Sequence, residues 1–129
     1  LNMHFVNSHF MHPDDLLDKD RGAALGWEKL RARLDEYMTW MNESAPSLRN
    51  LTGSELAGAV QRYGALTVDK EITDQEIRIH LGNFYDEAYL MVRIDDGTPG
   101  QVTGGELTNV TGNLYLLHAQ ESEVVIERN

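Results

Sequence analysis

The stretch "LTVDKEITDQEIRIHL", residues 66–81, decides the fold because its apolar and polar residues alternate. Ile77, Ile79 and Leu81 fall on one side of an extended chain, and Arg78 and His80 fall on the other. The same alternation recurs over residues 88–94, and shorter strands are predicted around 106–110, 114–118 and 124–127. Turns rich in Gly and Asp separate these segments. The pattern predicts an antiparallel β-sandwich of about six short strands.

Before residue 64 the apolar residues recur at steps of three and four, which predicts two helices. Pro46 ends the first helix, and Thr52 with Glu55 forms a capping box at the start of the second. We expect the apolar face of each helix to be mostly buried. The face of the first helix consists of Trp27, Leu30, Leu34, Tyr37 and Met41, and the face of the second consists of Leu56, Val60 and Tyr63.

Residues 3–12 are dense in aromatic and β-favouring residues and predict a buried strand that ends at Pro13. The predicted fold class is therefore α+β, with an N-terminal strand and two helices followed by the antiparallel β-sandwich. We expect two domains. Residues 1–64 hold the terminal strand and the helices, and residues 65–129 form the sandwich.

The formal net charge of the chain is −10, from 21 acidic and 11 basic residues. A field of this sign disfavours nucleic acid and anionic lipid, whose phosphates require a basic surface. The sequence has no apolar run long enough for a membrane helix, so we expect no membrane insertion. The chain has no Cys, which leaves His and carboxylate side chains as the candidates for metal or acid–base chemistry.

The stretch "VNSHFMHPDDLLDKD", residues 6–20, concentrates such side chains. His9 or His12 alone can act as a general acid, because imidazole titrates near neutral pH. Asp14 and Asp15 can orient an imidazole or bind a cation. In the alternative interpretation, the histidines are polar residues of a strand and the two aspartates cap the helix that follows. His80 and His118 are predicted to be surface residues on strands.

Aromatic residues supply a second kind of candidate. Aromatic rings stack on the apolar faces of sugars, but on a helix they are more often core residues. The candidates for sugar stacking are Tyr85, Tyr89, Tyr115, Trp27 and Trp40.

Two families show a resemblance. His12, Pro13, Asp14 and Asp15 match the His-Pro-Asp-Asp motif of zinc-dependent N-acetylglucosaminyl de-N-acetylases, over four residues only. A longer match, over roughly residues 3–65, includes "SHFMHPDDLLDKDRGAALGWEKL" and "WMNESAPSLRNLTGSELAGAVQRY". There the chain resembles the end of the NodB-type deacetylase domain of PelA-like polysaccharide deacetylases, which act in bacterial Pel exopolysaccharide biosynthesis. The strand-rich remainder then corresponds to their C-terminal β domain.

The longer resemblance implies a role for the histidines. In NodB-type deacetylases the last barrel strand carries the catalytic-acid histidine, which points to His12 first and to His9 as the alternative. Asp14 and Asp15 would be supporting residues. The aspartate base and the Asp-His-His metal site of the family lie on earlier strands, and nothing in this sequence matches them. A divalent metal, zinc, is thus expected in the parent enzyme, and none on this chain alone.

The resemblance also implies an amino-sugar polysaccharide as substrate and a periplasmic location. The partners would be the remainder of the deacetylase barrel and other Pel export components. Two further hypotheses stay open. The chain is a non-catalytic carbohydrate-binding or assembly module, or it is a small zinc de-N-acetylase that uses its His-Pro-Asp-Asp. Whether the chain alone is an enzyme is open as well, and under the first hypothesis we expect it to be inactive.

Overall fold

A computed structural model describes residues 12–129 of the protein. The predicted α+β fold class is confirmed, with seven strands in the described residues where about six were expected. The predicted N-terminal strand lies outside the described residues, apart from His12 at its end. The helices are a short 3-10 helix (Pro13–Leu16), α1 (Gly26–Ser44) and α2 (Gly53–Ala65). The strands are β1 (Thr67–Ile72), β2 (Glu76–Gly82), β3 (Ala88–Arg93), β4 (Pro99–Thr103), β5 (Gly105–Thr111), β6 (Leu114–Ala119) and β7 (Glu123–Arg128).

The strands form two antiparallel sheets, with the orders β1-β2-β7-β4 and β3-β6-β5. The chain crosses from the first sheet to the second after β2 and again at Gly104, between β4 and β5. Gly104 has a φ of +80°, and a Cβ atom there would overlap the carbonyl group of Glu123. Only glycine fits this corner, because it alone tolerates both the positive φ and the close approach.

The apolar core lies between the two sheets and follows the predicted alternation. On β2, Ile77, Ile79 and Leu81 are buried, whereas Arg78 and His80 are exposed. The inward-facing residues of β3 and of the central strands β6 and β7 complete the core. Its fully buried large side chains are Leu81, Leu117, Val124 and Ile126.

Strand β1 is an edge strand and is exposed along its whole length. Its register places Val68 opposite Leu81 and Ile72 opposite Ile77, so these residues share the inner side of the sheet as predicted. Both are nevertheless about half exposed, because no strand of residues 12–129 lies beyond β1. The charged residues between them disfavour pairing of this open edge with another chain.

The chain divides into two compact units, Leu1–Pro46 and Ser47–Asn129. The second unit contains α2 together with all seven strands, whereas the predicted domain boundary falls after residue 64. That domain boundary stays a prediction. Neither helix of the described residues has the unbroken apolar length that crossing a bilayer requires.

The capping box predicted for α2 is confirmed. The backbone N–H of Thr52 donates to Glu55 Oε2 at 2.7 Å, and the backbone N–H of Glu55 donates to Thr52 Oγ1 at 3.4 Å. The first of these bonds, with a second from the Thr52 hydroxyl, lowers the pKa of Glu55. The box satisfies N–H groups that the first turn of a helix leaves unpaired.

The predicted burial of the helical faces is wrong at three positions. Trp27, Val60 and Tyr63 are 51%, 57% and 78% exposed. Of the remaining residues of these faces, Met41 is buried, and the others are half-buried, namely Leu30, Leu34, Tyr37 and Leu56. Helical spacing identifies the residues that share a face, but burial also requires a surface that covers the face.

We expect Leu117→Ala to lower the free energy of unfolding by about 2–5 kcal/mol, the range for removing a large side chain from a core. Leu117 is 0% exposed, at the centre of its sheet. Denaturant unfolding followed by circular dichroism measures the loss. The control is Met91→Ala on the neighbouring strand β3, where the side chain is 50% exposed. A cost for Met91→Ala equal to that of Leu117→Ala would contradict the assignment of inner and outer faces.

Candidate functional site

His12 lies at the start of a loop that leads to α1, and its backbone is extended, with φ −91° and ψ 133°. Its side chain is 52% exposed. The backbone N–H of His12 donates to Asp15 Oδ2 at 3.2 Å, which ties the residue to the 3-10 helix that follows. The imidazole is thus presented at a defined place on the surface of the first unit.

Asp15 orders this loop. Its Oδ1 accepts a hydrogen bond of 2.6 Å from Arg21 Nη1, and its backbone carbonyl accepts one of 3.0 Å from the N–H of Gly22. A side chain at position 22 would come within 3.0 Å of that carbonyl oxygen, which explains the glycine. The hydrogen bond from Arg21 lowers the pKa of Asp15, and the bond from the His12 N–H acts in the same direction.

Asp14 is the carboxylate beside the imidazole. Its Oδ1 lies 3.8 Å from His12 Nδ1, and its side chain is 72% exposed. The two predicted supporting residues therefore occupy different positions, since Asp14 faces the ring and Asp15 is engaged by Arg21 and by the backbone. His9, the alternative catalytic residue, lies outside the described residues.

The fit of this loop to a metal can be tested on its donor atoms. Between residues 12 and 129, no three His, Asp or Glu side chains lie close enough together to hold a metal ion. The carboxylate of Asp15 already forms an ion pair with Arg21, with 2.6 Å between Oδ1 and Nη1. The described residues of this loop thus do not supply the set of metal ligands that the short match to zinc-dependent de-N-acetylases implies.

A second candidate site is a cleft in the second unit, between α2 and the start of β3. Its volume is about 90 Å³. Three tyrosines, two arginines and one carboxylate line it, together with small apolar residues. The lining consists of Arg49, Ala59, Arg62, Tyr63, Leu66, Tyr85, Glu87, Ala88 and Tyr89.

Glu87 is the centre of the polar contacts in this cleft. Its Oε1 accepts a hydrogen bond of 2.9 Å from Arg62 Nη2, and its Oε2 lies 3.0 Å from His118 Nε2. Arg49 Nη1 lies 3.8 Å from Oε1, too far for a hydrogen bond. The carboxylate is thereby shared between α2 and β6, and its side chain is 28% exposed.

Tyr89 connects the remaining groups. The β3–β6 register places Tyr89 opposite His118, and their rings are stacked at 4.4 Å between centroids with 4° between planes. The guanidinium of Arg49 lies over the Tyr89 ring, 3.8 Å from its centroid. These contacts hold the planar group of Arg49 at the wall of the cleft by a cation–π interaction.

The sequence indicated part of this cleft. Tyr85 and Tyr89 were candidates for sugar stacking, and both line the cleft. The prediction that His118 is a surface residue is wrong in part, since its side chain is only 29% exposed and bonds to Glu87. Arg49, Arg62 and Glu87 were missed, because their pairing depends on how α2 packs on the sheet. His80, by contrast, is exposed as predicted and pairs with Glu123.

We expect Arg21→Gln to raise the pKa of Asp15 towards its ordinary value of 3.8. Because the folded pKa lies below that value, the ion pair contributes fully to stability above the ordinary pKa. The contribution is lost as the pH falls through the lower folded value. Carboxyl ¹³C NMR titration measures the shift. Arg33→Gln serves as the control, since Arg33 pairs with Glu36 instead. An unchanged pKa of Asp15 in Arg21→Gln would contradict this account.

Comparison with known proteins places the chain in a family. The family model described as "uncharacterised protein conserved in bacteria (DUF2194)" matches residues 1–116, which is most of the chain. No curated protein and no solved structure matches. The match includes the His12 loop and most of the second unit with its cleft. The chain therefore belongs to this bacterial family, DUF2194.

Proposed function

We propose that the chain is the C-terminal segment of a Pel-type polysaccharide N-deacetylase, with His12 as its general acid. The observation that carries the proposal is the position of His12. Its side chain is half exposed, it follows the stretch that resembles the last barrel strand, and Asp14 Oδ1 lies 3.8 Å from its Nδ1. The parent enzyme would act on an amino-sugar polymer in the periplasm, with other Pel export components as partners.

The proposed reaction is hydrolysis of an N-acetyl group. Water adds to the amide carbonyl, the C–N bond breaks, and the nitrogen leaves as an amine that needs a proton. A protonated His12 supplies that proton, and Asp14, whose Oδ1 lies 3.8 Å from Nδ1, is the side chain placed to orient the ring. Asp15 acts indirectly, since its bonds to Arg21 and to the His12 backbone hold the loop that presents the ring.

The base and the metal site would come from the remainder of the deacetylase barrel, since nothing in this sequence matches the family's aspartate base and Asp-His-His metal site. We therefore expect the isolated chain to have no deacetylase activity. The assay is release of acetate from N-acetylglucosamine and N-acetylgalactosamine oligomers, with and without added zinc. Turnover that a chelator abolishes, or stoichiometric zinc binding that Asp15→Asn removes, would favour the small zinc de-N-acetylase instead.

In the parent enzyme we expect His12→Ala to lower kcat by about 10²–10⁴-fold, the usual cost of losing a general acid. Metal content should stay unchanged, because His12 is not a ligand in this proposal. The matched control is His9→Ala, three residues earlier in the chain. If His9→Ala is the damaging change and His12→Ala is neutral, the acid is His9. Full activity in both variants would leave the loop without a catalytic role.

A second function, binding of saccharide by the second unit, is supported by the cleft. Tyr63 and Tyr85 are 78% and 74% exposed beside it. Large aromatic rings at a polar cleft suit sugars, because the C–H face of a pyranose packs on the ring while its hydroxyls bond to polar side chains. This function would bind a saccharide without taking part in the chemistry.

A further inference from the structure

We propose that the cleft binds an acidic sugar, with Arg49 pairing to its carboxylate and with Tyr63 and Tyr85 against its pyranose ring. The inference rests on the saccharide-binding function proposed above and adds the charge class of the ligand. It is independent of the His12 loop. The proposed ligand of the cleft is a uronic acid. The cleft would exclude the deacetylated, cationic amino sugars that an acidic chain would otherwise attract.

The local charge of the cleft is the first argument. The chain carries a formal net charge of −10, yet two guanidinium groups and a single carboxylate line this cleft. Glu87 already uses one oxygen for Arg62 and the other for His118. An incoming cation would meet both arginines and find that carboxylate engaged. An incoming anion would meet an excess of positive charge.

The state of Arg49 is the second argument. Its Nη1 lies 3.8 Å from the nearest Glu87 oxygen, an ion pair without a hydrogen bond, and its side chain is 30% exposed. The Tyr89 ring holds the guanidinium from one face at 3.8 Å. Its N–H donors lie in the guanidinium plane, in the fork geometry that matches a carboxylate. Arg49 is thus held in place while its hydrogen bonds remain available to a ligand.

The position of the exposed aromatic rings is the third argument. The cleft is lined by the two most exposed tyrosines, Tyr63 and Tyr85, as well as by Arg49. Its lining thus offers two parts, a partner for a carboxylate and a surface for a sugar ring. A uronic acid joins these two parts in one ligand, because its carboxylate projects from the edge of its pyranose ring.

The test is titration of the whole chain with methyl glucuronide, methyl glucoside and methyl glucosaminide, followed by amide NMR shifts and calorimetry. We expect methyl glucuronide to bind about tenfold or more tightly than the neutral glucoside, the effect of one charge-assisted pair. The shifts should fall on residues of the cleft. Acetate, which has the carboxylate without the ring, should bind more weakly than the glucuronide.

Variants assign the effect to residues. Arg49→Gln should weaken glucuronide binding about tenfold and remove the preference over the glucoside, and Arg49→Lys should keep part of it. Arg93→Gln is the matched control, an exposed arginine of β3 outside the cleft. Tyr85→Ala should weaken binding of both sugars, and at 74% exposure its loss should leave the fold intact. Circular dichroism verifies folding of each variant.

The outcomes separate the two proposals. Equal binding of all three sugars, or tighter binding of the glucosaminide, would overturn the acidic-sugar inference and leave the saccharide-binding function standing. Absence of binding by any sugar would overturn both. Glucuronide binding that Arg49→Gln leaves unchanged would overturn the assignment to this cleft, and Tyr85→Ala repeats that test independently should Arg49→Gln fail to fold.

Discussion

Burial between the two sheets dictates where the polar groups of the second unit can be. Leu117 and Ala119 on β6 are 0% exposed and must point inward, so His118 between them must point outward. The same alternation turns Tyr89 to the outer face of β3, opposite His118. The stacked pair is therefore a consequence of the core. Glu87, Arg62 and Arg49 then collect around a position that apolar packing has already fixed.

Two adjacent carboxylates in the first unit show how neighbours in sequence can differ in role. Asp15 gives its oxygens to Arg21 and to the His12 backbone, so its charge stabilises the shape of the loop. Asp14, one residue earlier, is 72% exposed and faces the imidazole. An anion that is already paired inside a fold is poorly suited to hold a catalytic ring or a metal. Asp15 therefore holds the backbone of the loop in place, while the side chains of His12 and Asp14 stay exposed.

Local patterns predicted much of the fold, and long-range pairing explains most of what they missed. The alternation of Ile77, Ile79 and Leu81 identified a buried face, and Thr52 with Glu55 marked the start of α2, because both signals arise within a few residues. Trp27 and Val60 have the spacing of core residues but are half exposed, since periodicity does not reveal whether a surface covers them. The number of strands was nearly right for the same local reason.

The candidate sites divide in the same way. His12 and its neighbouring aspartates lie within a short stretch of sequence and can be recognised there. The sequence does not show that Arg21 pairs with Asp15, which only the structure reveals. The cleft combines Arg49 and Glu87 from segments far apart along the chain, and the strand register brings His118 to the Glu87 carboxylate. A single sequence shows which residues carry useful chemistry, but it does not show which distant residues the fold brings together.

The strand order has a consequence for how the protein is made. In the sheet β1-β2-β7-β4, β7 is the strand that joins β2 to β4, yet its residues, Glu123–Arg128, are synthesised after those of both neighbours. On the ribosome, β2 and β4 must wait with unpaired edges until β7 emerges from the exit tunnel. Such non-local pairing slows folding and leaves nascent chains open to wrong partners. A ribosome that stalls before residue 123 would therefore hold a chain whose α2 and β1–β2 hairpin are able to form but whose first sheet cannot be completed.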